Sequence, residues 1–179
     1  FSGMMLDWRC RAKLGKYIPK TLHLIDAKNS NRVELYRLSM LKPVVLNMGS
    51  ASWPPYVRCL STFETLVQKY SHNIDAAIIY IDEAHPRDGW FIGDSQGPVI
   101  YNHTDIQHRR VAAEKYIDSS IPVYLDDMTN GIKNYFGVQY ERLVVLYMGQ
   151  IIYKGKPGPM GYDLDELDKF IKSNFFVKN

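Results

Sequence analysis

A glutamate and a histidine stand two residues apart in the run IYIDEAHPRDGW, where Glu83 and His85 follow an apolar segment. A histidine can transfer protons near neutral pH, and a nearby carboxylate can orient its ring or raise its pKa. The pair could therefore handle protons in a reaction, or it could be a solvated loop pair. His103, just before a helix signal, and Glu141, before another apolar run, are candidates for the same cleft. His103 alone also fits a capping or surface residue.

The loop GSASWPP, residues 49–55, is where a nucleophile is expected. It follows the apolar run PVVLNM and precedes an amphipathic segment, so it joins the carboxyl end of a strand to the N-terminus of a helix. The partial positive charge of that helix end would stabilise a thiolate or selenolate. The loop instead offers Ala51, Ser52 and Trp53, of which only Ser52 could react. Cys59 lies further on, inside the predicted helix, and is more typical of a core thiol.

Strand and helix signals alternate along the chain and would position these residues. Apolar or alternating runs predict strands at 21–26, 43–48, 76–81 and 122–127, and RLVVLYM and QIIYKG around Gly149 predict a hairpin. Helical spacing and cap signals predict helices at 55–70, 104–118, 129–136 and after Asp163. A capping box of Thr104 and Gln107 is expected to start the second helix.

This order of elements predicts an α/β fold, a three-layer sandwich with a central mixed sheet. Consecutive parallel strands end at the same rim, so Glu83 and His85 should face the GSASWPP loop. The polar stretch at 82–103 is too long for a plain connection, and such loops are more often functional than not. We expect a basic N-terminal segment at 1–20 and a single domain at 21–179.

Composition narrows the class of protein. With 179 residues, 46% hydrophobic and 23% charged, the chain suits one globular domain with a full core. The net charge of +3 comes from scattered lysines and arginines, and no nucleic-acid partner is expected. Two cysteines without a CxxC motif predict neither a zinc site nor a dithiol pair, so no metal is expected. No run approaches the roughly 18 apolar residues of a membrane span, so the chain reads as a soluble domain.

Five motifs of the sequence resemble those of a known family. PVVLNMGSASWPPYV, IIYIDEAHPRDGW, YNHTDIQHRR, YERLVVLYMGQIIYKGK and GPMGY occur in the order and spacing of the iodothyronine deiodinases. The sequence resembles that family over about residues 17–172. The resemblance implies a thioredoxin-like fold with a deiodinase-type insertion. It implies reductive removal of iodine from thyroid-hormone-like iodophenols, with a thiol reductant as cosubstrate and no other cofactor. It also implies an iodothyronine-like small-molecule substrate, a possible homodimer, and membrane attachment only through an N-terminal anchor that this sequence lacks.

The resemblance also assigns the nucleophile position. The family's loop resembles GSCTUPP, in which U is selenocysteine; here Trp53 falls on the selenocysteine, Ser52 on the threonine and Ala51 on the cysteine. In the family the selenolate attacks iodine, the ring carbon is protonated, and a thiol regenerates the selenol. An indole cannot attack iodine, so three hypotheses about the function of the protein stay open. Trp53 could stand for a recoded selenocysteine, the protein could be an inactive pseudoenzyme that binds iodothyronine-like or other aromatic ligands, or Cys59 could serve a thiol-dependent reductase.

The remaining roles follow from the same match. Glu83, His85 and Glu141 would form the network that handles protons. His103 would contact the phenol end of the substrate or assist proton delivery. Lys156 would help to bind the substrate, because it lies beside Pro157, where some members have an arginine.

Overall fold

The computed structural model describes residues 10–175, which form seven strands and four α-helices. The strands are β1 (His23–Asp26), β2 (Arg32–Glu34), β3 (Val44–Gly49), β4 (Asp75–Tyr80), β5 (Val123–Leu125), β6 (Arg142–Tyr147) and β7 (Gln150–Lys154). The helices are α1 (Pro54–Lys69), α2 (Ile106–Tyr116), α3 (Gly131–Phe136) and α4 (Leu164–Phe175).

The strands form one mixed sheet in the order β2-β1-β5-β4-β3-β6-β7. The central strands β3, β4 and β5 are parallel, and antiparallel partners extend the sheet on both sides. All six residues of β3 are buried because each face of the sheet is covered. Helices α1, α2 and α4 pack on one face, and α3 packs on the other with part of the N-terminal segment. The predicted three-layer α/β sandwich with a central mixed sheet is confirmed.

Helix α1 begins directly after β3 and carries the nucleophile position at its N-terminus. Its buried residues recur at helical spacing and fix which face meets the sheet: Tyr56, Leu60, Phe63 and Val67. Pro54 and Pro55 occupy the first turn, where the missing N–H leaves no hydrogen bond unmade. Trp53 is therefore the N-cap residue, and its side chain lies at the end of the strand-to-helix connection.

Strand β2 and the start of helix α2 differ from the sequence prediction. The three-residue strand β2 was not predicted; it pairs with β1 through the register of Leu24 with Val33. The capping box of Thr104 and Gln107 was wrong, because helix α2 starts one residue later. Its N-cap is Asp105, whose Oδ1 accepts the backbone N–H of His108 at 2.8 Å.

The long connection between β4 and α2 contains one short 3-10 turn at Asp94–Gln96 as its regular structure. It closes on itself where the backbone N–H of Arg87 donates to the carbonyl of Ile100 at 2.7 Å. Residues 87–90 and 94–97 are exposed, whereas the start of the connection is buried against the sheet rim. That start is the part that contains Glu83 and His85.

The described part of the N-terminal segment packs onto the sheet. Ala12 donates its N–H to the carbonyl of Tyr135 at 3.0 Å, and Ile18 donates to the carbonyl of Gly149 at 2.9 Å. The expected division at residue 20 stays a prediction, and residues 1–9 of that segment lie outside the described residues. Within residues 10–175, none of the helices has the length and apolar character needed to cross a bilayer.

Candidate active site

The parallel pairing of β3 with β4 brings two loops to one rim. Gly49 lies opposite Tyr80 in register, so the loop after β3 meets the chain that leaves β4. The N–H of Ala51 donates to the hydroxyl of Tyr80 at 3.3 Å, and the N–H of Ser52 donates to Oε2 of Glu83 at 3.0 Å. The main chain just before the nucleophile position is thus tied to the predicted proton-handling residues.

Glu83 is the centre of a buried hydrogen-bond network. Tyr80 donates its hydroxyl proton to Oε1, and Nε2 of His103 lies 3.0 Å from the same oxygen. The side chains of His103 and Glu83 are 1% and 0% exposed. Burial raises the pKa of Glu83. The contacts with His103, Ser52 and Tyr80 lower it by more than burial raises it, so the pKa lies below its ordinary value. Glu83 is therefore held as a carboxylate.

Arg109 on helix α2 completes this network from behind His103. Its Nε donates to Nδ1 of His103 at 3.1 Å, although its whole side chain is buried. Nη1 donates to the carbonyls of Asp126 and Asp127, each at 2.8 Å, and Nη2 donates to Oδ1 of Asn130 at 3.0 Å. The guanidinium thereby joins α2 to the loop between β5 and α3 and fixes the position of the imidazole.

His85 and Ser52 form a second contact between the two loops. The backbone N–H of His85 donates to the hydroxyl of Ser52 at 3.0 Å. Nδ1 of His85 lies 2.7 Å from the carbonyl of Trp90. Both residues are only 3% exposed, so the Ser52 hydroxyl serves here as a buried acceptor between the loops. The arrangement gives Ser52 a structural contact and holds the His85 ring at the rim.

The Trp53 indole fills the space in front of this rim. It stacks on Tyr140 with ring centroids 4.6 Å apart and an interplanar angle of 18°, and it lies 5.3 Å from the His85 ring. Trp90 packs edge-on against His85 at 4.5 Å and is 64% exposed. The buried Nε1 of Trp53 makes no hydrogen bond of normal geometry.

Glu141 belongs to a different buried group, on the α1 side of the sheet. Burial raises its pKa, and the neighbouring Trp53 indole offsets part of that increase. Gly158 is packed so closely that a Cβ there would come within 2.3 Å of Cγ of Glu141. The hydroxyl of Tyr162 in the same group donates to Oδ1 of Asn47 at 3.2 Å. Glu141 thus lies beside Trp53 without joining the Glu83 network.

The structure brings together five of the seven residues that the sequence singled out: Ser52, Trp53, Glu83, His85 and His103. Glu141 is adjacent, and Lys156 is exposed on the loop after β7. The catalytic and substrate-binding roles stay predictions; His103 in particular is enclosed behind Glu83. Cys59 lies within α1, and burial together with the charge of Glu141 raises the pKa of its thiol.

Sequence reasoning missed three residues of the site. Tyr80, the last residue of β4, was treated as part of an apolar strand, although its place three residues before Glu83 was a usable signal. Arg109 could not be distinguished from Arg110 in the sequence, because the two differ only in that Arg109 lies on the buried face of α2. Tyr140 gave no signal, since its stack with Trp53 joins distant parts of the chain.

The fold agrees with solved structures of distant sequence. The exposed lipoprotein thioredoxin of Streptococcus pneumoniae matches with a TM-score of 0.57 and 12% identity, covering 85% of this chain and 98% of that one. The thioredoxin domain of a thiol-disulfide oxidoreductase from Bacteroides vulgatus matches with a TM-score of 0.59 and 13% identity, covering 90% and 96%. The class is therefore a thioredoxin-like α/β protein.

Closer relatives identify the family. The iodothyronine deiodinase family model matches residues 1–175. Thyroxine 5-deiodinase of Rattus norvegicus is 40% identical over 174 residues, which cover 95% of this chain and 56% of the relative. Type II iodothyronine deiodinase of Mus musculus is 32% identical over 196 residues, covering 98% and 74%. The chain belongs to the iodothyronine deiodinase family, as the motifs predicted. It spans about half the length of the thyroxine 5-deiodinases that it matches.

Proposed function

We propose that this chain is the reaction domain of a deiodinase for iodothyronine-like iodophenols, and that Trp53 stands where the active protein has selenocysteine. The observation that carries the proposal is the contrast between position 53 and its surroundings. Glu83 accepts hydrogen bonds from Tyr80 and from the backbone N–H of Ser52, and Nε2 of His103 lies 3.0 Å from its Oε1. Trp53, the residue next to Ser52, has a side chain that cannot attack iodine.

The local packing supports the same conclusion. A buried indole N–H usually finds a partner, yet Nε1 of Trp53 makes no hydrogen bond of normal geometry. Its contact with Glu141, which lowers the pKa of that carboxyl, compensates only in part for the burial of the donor, and the remaining cost is at most about 1–3 kcal/mol. A smaller residue such as selenocysteine or cysteine would remove that cost. It would also empty the space beside His85 and Tyr140 that the indole now occupies.

The proposed reaction balances with a thiol reductant. A selenolate or thiolate at position 53 attacks iodine, the carbon–iodine bond breaks, and the ring carbon takes up a proton. The resulting selenenyl or sulfenyl iodide reacts with one thiol. This step releases iodide and forms a selenenyl sulfide or a mixed disulfide between the protein and the reductant. A second thiol then releases the nucleophile and forms a disulfide. Overall, the aryl iodide is reduced and two thiols are oxidised, and the reductant supplies both electrons.

The test is to restore a nucleophile at position 53. We expect Trp53→Cys to release iodide from an iodothyronine in the presence of dithiothreitol, at least about tenfold faster than the unaltered protein. Trp53→Ala is the matched control, because it opens the same space without a nucleophile. Equal rates for the two variants would contradict the proposal. The codon for residue 53 is a direct second test: UGA supports recoded selenocysteine, and UGG contradicts it.

A second function is favoured by the ordered stack of Trp53 on Tyr140. In this alternative the chain is a pseudoenzyme that binds iodothyronine-like or other aromatic ligands without turnover. Calorimetry of the unaltered protein with an iodothyronine would then show saturable binding, which Trp53→Ala would weaken. Saturable binding without iodide release from the Trp53→Cys variant would favour the pseudoenzyme over the deiodinase.

A further inference from the structure

We propose that Arg109 is a positioning residue that holds His103 in the neutral tautomer with its proton on Nε2, the nitrogen that lies 3.0 Å from Glu83. The proposal concerns a residue that neither touches the nucleophile position nor faces the rim. It rests on the hydrogen-bond chain that runs from the loop after β5, through Arg109 and His103, to Glu83.

The first step concerns Nδ1 of His103. A guanidinium is a donor at every nitrogen and stays charged in proteins, so a group that bonds it must accept. Nε of Arg109 lies 3.1 Å from Nδ1 of His103, and Nδ1 must therefore present a lone pair. The guanidinium cannot turn away, because its other two nitrogens are bonded to two carbonyls and to Asn130.

The second step concerns Nε2 of His103. This nitrogen lies 3.0 Å from Oε1 of Glu83, and an ionised carboxylate can only accept. The contact lacks the geometry of an ideal hydrogen bond, so it does not set the tautomer by itself. Arg109 does so from the opposite side of the ring, and a neutral imidazole whose Nδ1 accepts must carry its proton on Nε2.

His85 provides an internal contrast. Its Nδ1 lies 2.7 Å from the carbonyl oxygen of Trp90. A carbonyl only accepts, so this Nδ1 carries a proton, and the neutral form of His85 keeps its lone pair on Nε2. The two histidines beside the nucleophile position are thus held in opposite tautomers, one by an arginine and the other by a backbone carbonyl.

The consequence for proton transfer rests on the proposed deiodination. A neutral His103 whose only proton is on Nε2 donates a hydrogen bond but cannot give that proton to Glu83, because an imidazolate would form. It also cannot take up a second proton at Nδ1 while Arg109 donates to that atom. Arg109 therefore prevents a proton from reaching Glu83 through Nδ1 of His103. The proton that replaces the one taken up by the substrate must enter through Tyr80 or from the rim, not from behind His103.

The tautomer is measured on the unaltered protein without turnover. With 15N-labelled histidine, we expect long-range 1H–15N spectra to show His103 protonated at Nε2 only and His85 protonated at Nδ1, with His103→Gln and His85→Gln used for assignment. A scalar coupling across the hydrogen bond should join Nε of Arg109 to Nδ1 of His103. A His103 that carries its proton on Nδ1, or an even mixture of tautomers, would overturn the proposal.

The role of Arg109 is tested with Arg109→Lys and Arg109→Met, and Arg110→Met is the control on the outer face of α2. Folding is checked by circular dichroism. We expect the single His103 tautomer to be lost in the folded Arg109 variants and kept in the control. An unchanged His103 pattern in a folded Arg109 variant would refute the assignment. If neither variant folds, the coupling in the unaltered protein decides. These readouts do not depend on iodide release, so the proposed function can fail independently.

Discussion

Glu83 and Glu141 are both buried beside position 53, but their surroundings act on them in opposite directions. Glu83 is held ionised by hydrogen-bond donors, and its pKa is lowered. Glu141 gains little compensation for its burial, and its pKa is raised. The protein thus places near position 53 one carboxyl whose pKa is lowered and another whose pKa is raised. This is the division of roles that acid–base chemistry requires.

We predict opposite pH signatures for Glu83→Gln and Glu141→Gln. An unfolded glutamate titrates near about pH 4.3. Glu83 adds stability that is present above that pH and is lost as pH falls through its lower folded pKa. Glu141 adds stability that is present below that pH and is lost as pH rises through its higher folded pKa.

The free energy of unfolding, measured by urea titration from pH 3 to pH 8, checks the pair. Glu83→Gln should be less stable than the unaltered protein at neutral pH by about 1.5–3 kcal/mol, because charged hydrogen bonds are lost. That deficit should shrink as pH falls below about 4. Glu141→Gln should gain relative to the unaltered protein as pH rises above the same point. Parallel pH profiles for the two variants would contradict the assignment.

At the residue scale, the sequence predicted the side chains whose types and spacing indicate chemistry. Glu83 and His85 were found because they follow a strand that must end at the same rim as the loop with Trp53. Arg109 was not found, because its role depends on which face of α2 is buried and on carbonyls from a loop 17 and 18 residues away. Periodicity in a single helix carries no information about such partners.

At the element scale, the close approach of α1 to the end of β3 positions Trp53. Gly49, the last residue of β3, lies directly under the ring of Tyr56 in the first turn of α1. The strands and helices with strong apolar periodicity were predicted well, including α1 with its two prolines. Strand β2 was missed because three residues, one of them exposed, are too few to show alternation.

We predict that Gly49→Ala destabilises the protein by about 1–3 kcal/mol through overpacking. The added Cβ would lie 2.5 Å from Cδ2 of Tyr56, which is fully buried and cannot move aside. Gly97→Ala is the matched control, because its Cβ would lie 3.7 Å from the nearest atom and its backbone is extended. Urea unfolding measures both. A Gly49→Ala variant as stable as the control would show that α1 can shift away from β3 without loss.

At the scale of the whole molecule, a rigid sheet carries a long connection whose two parts differ in how firmly they are held. The buried start of the connection is hydrogen-bonded to the loop after β3 through Ala84 and His85, which donate to Ser50 and Ser52 at 3.2 and 3.0 Å. The remainder, residues 87–97, is exposed at 87–90 and 94–97 and has a single short 3-10 turn as its regular structure. Sequence reasoning identified the connection by its length and polarity, but it could not tell which part would be fixed.

Hydrogen exchange should therefore divide this connection in two. We predict slow exchange of the amides of β3, β4 and β6, since these strands are central and most of their residues are buried. The amides of Ser52, Ala84 and His85 should also exchange slowly, although they lie outside strands, because each donates to a side chain at the rim. Residues 94–97 should exchange fastest.

Glu83→Gln, in which the acceptor for the Ser52 amide is weakened, should accelerate exchange at Ser52 while leaving β4 protected. Acceleration across β4 as well would mean that the rim network and the sheet open as one unit, and the loops would then not be able to rearrange around a substrate without unfolding the core.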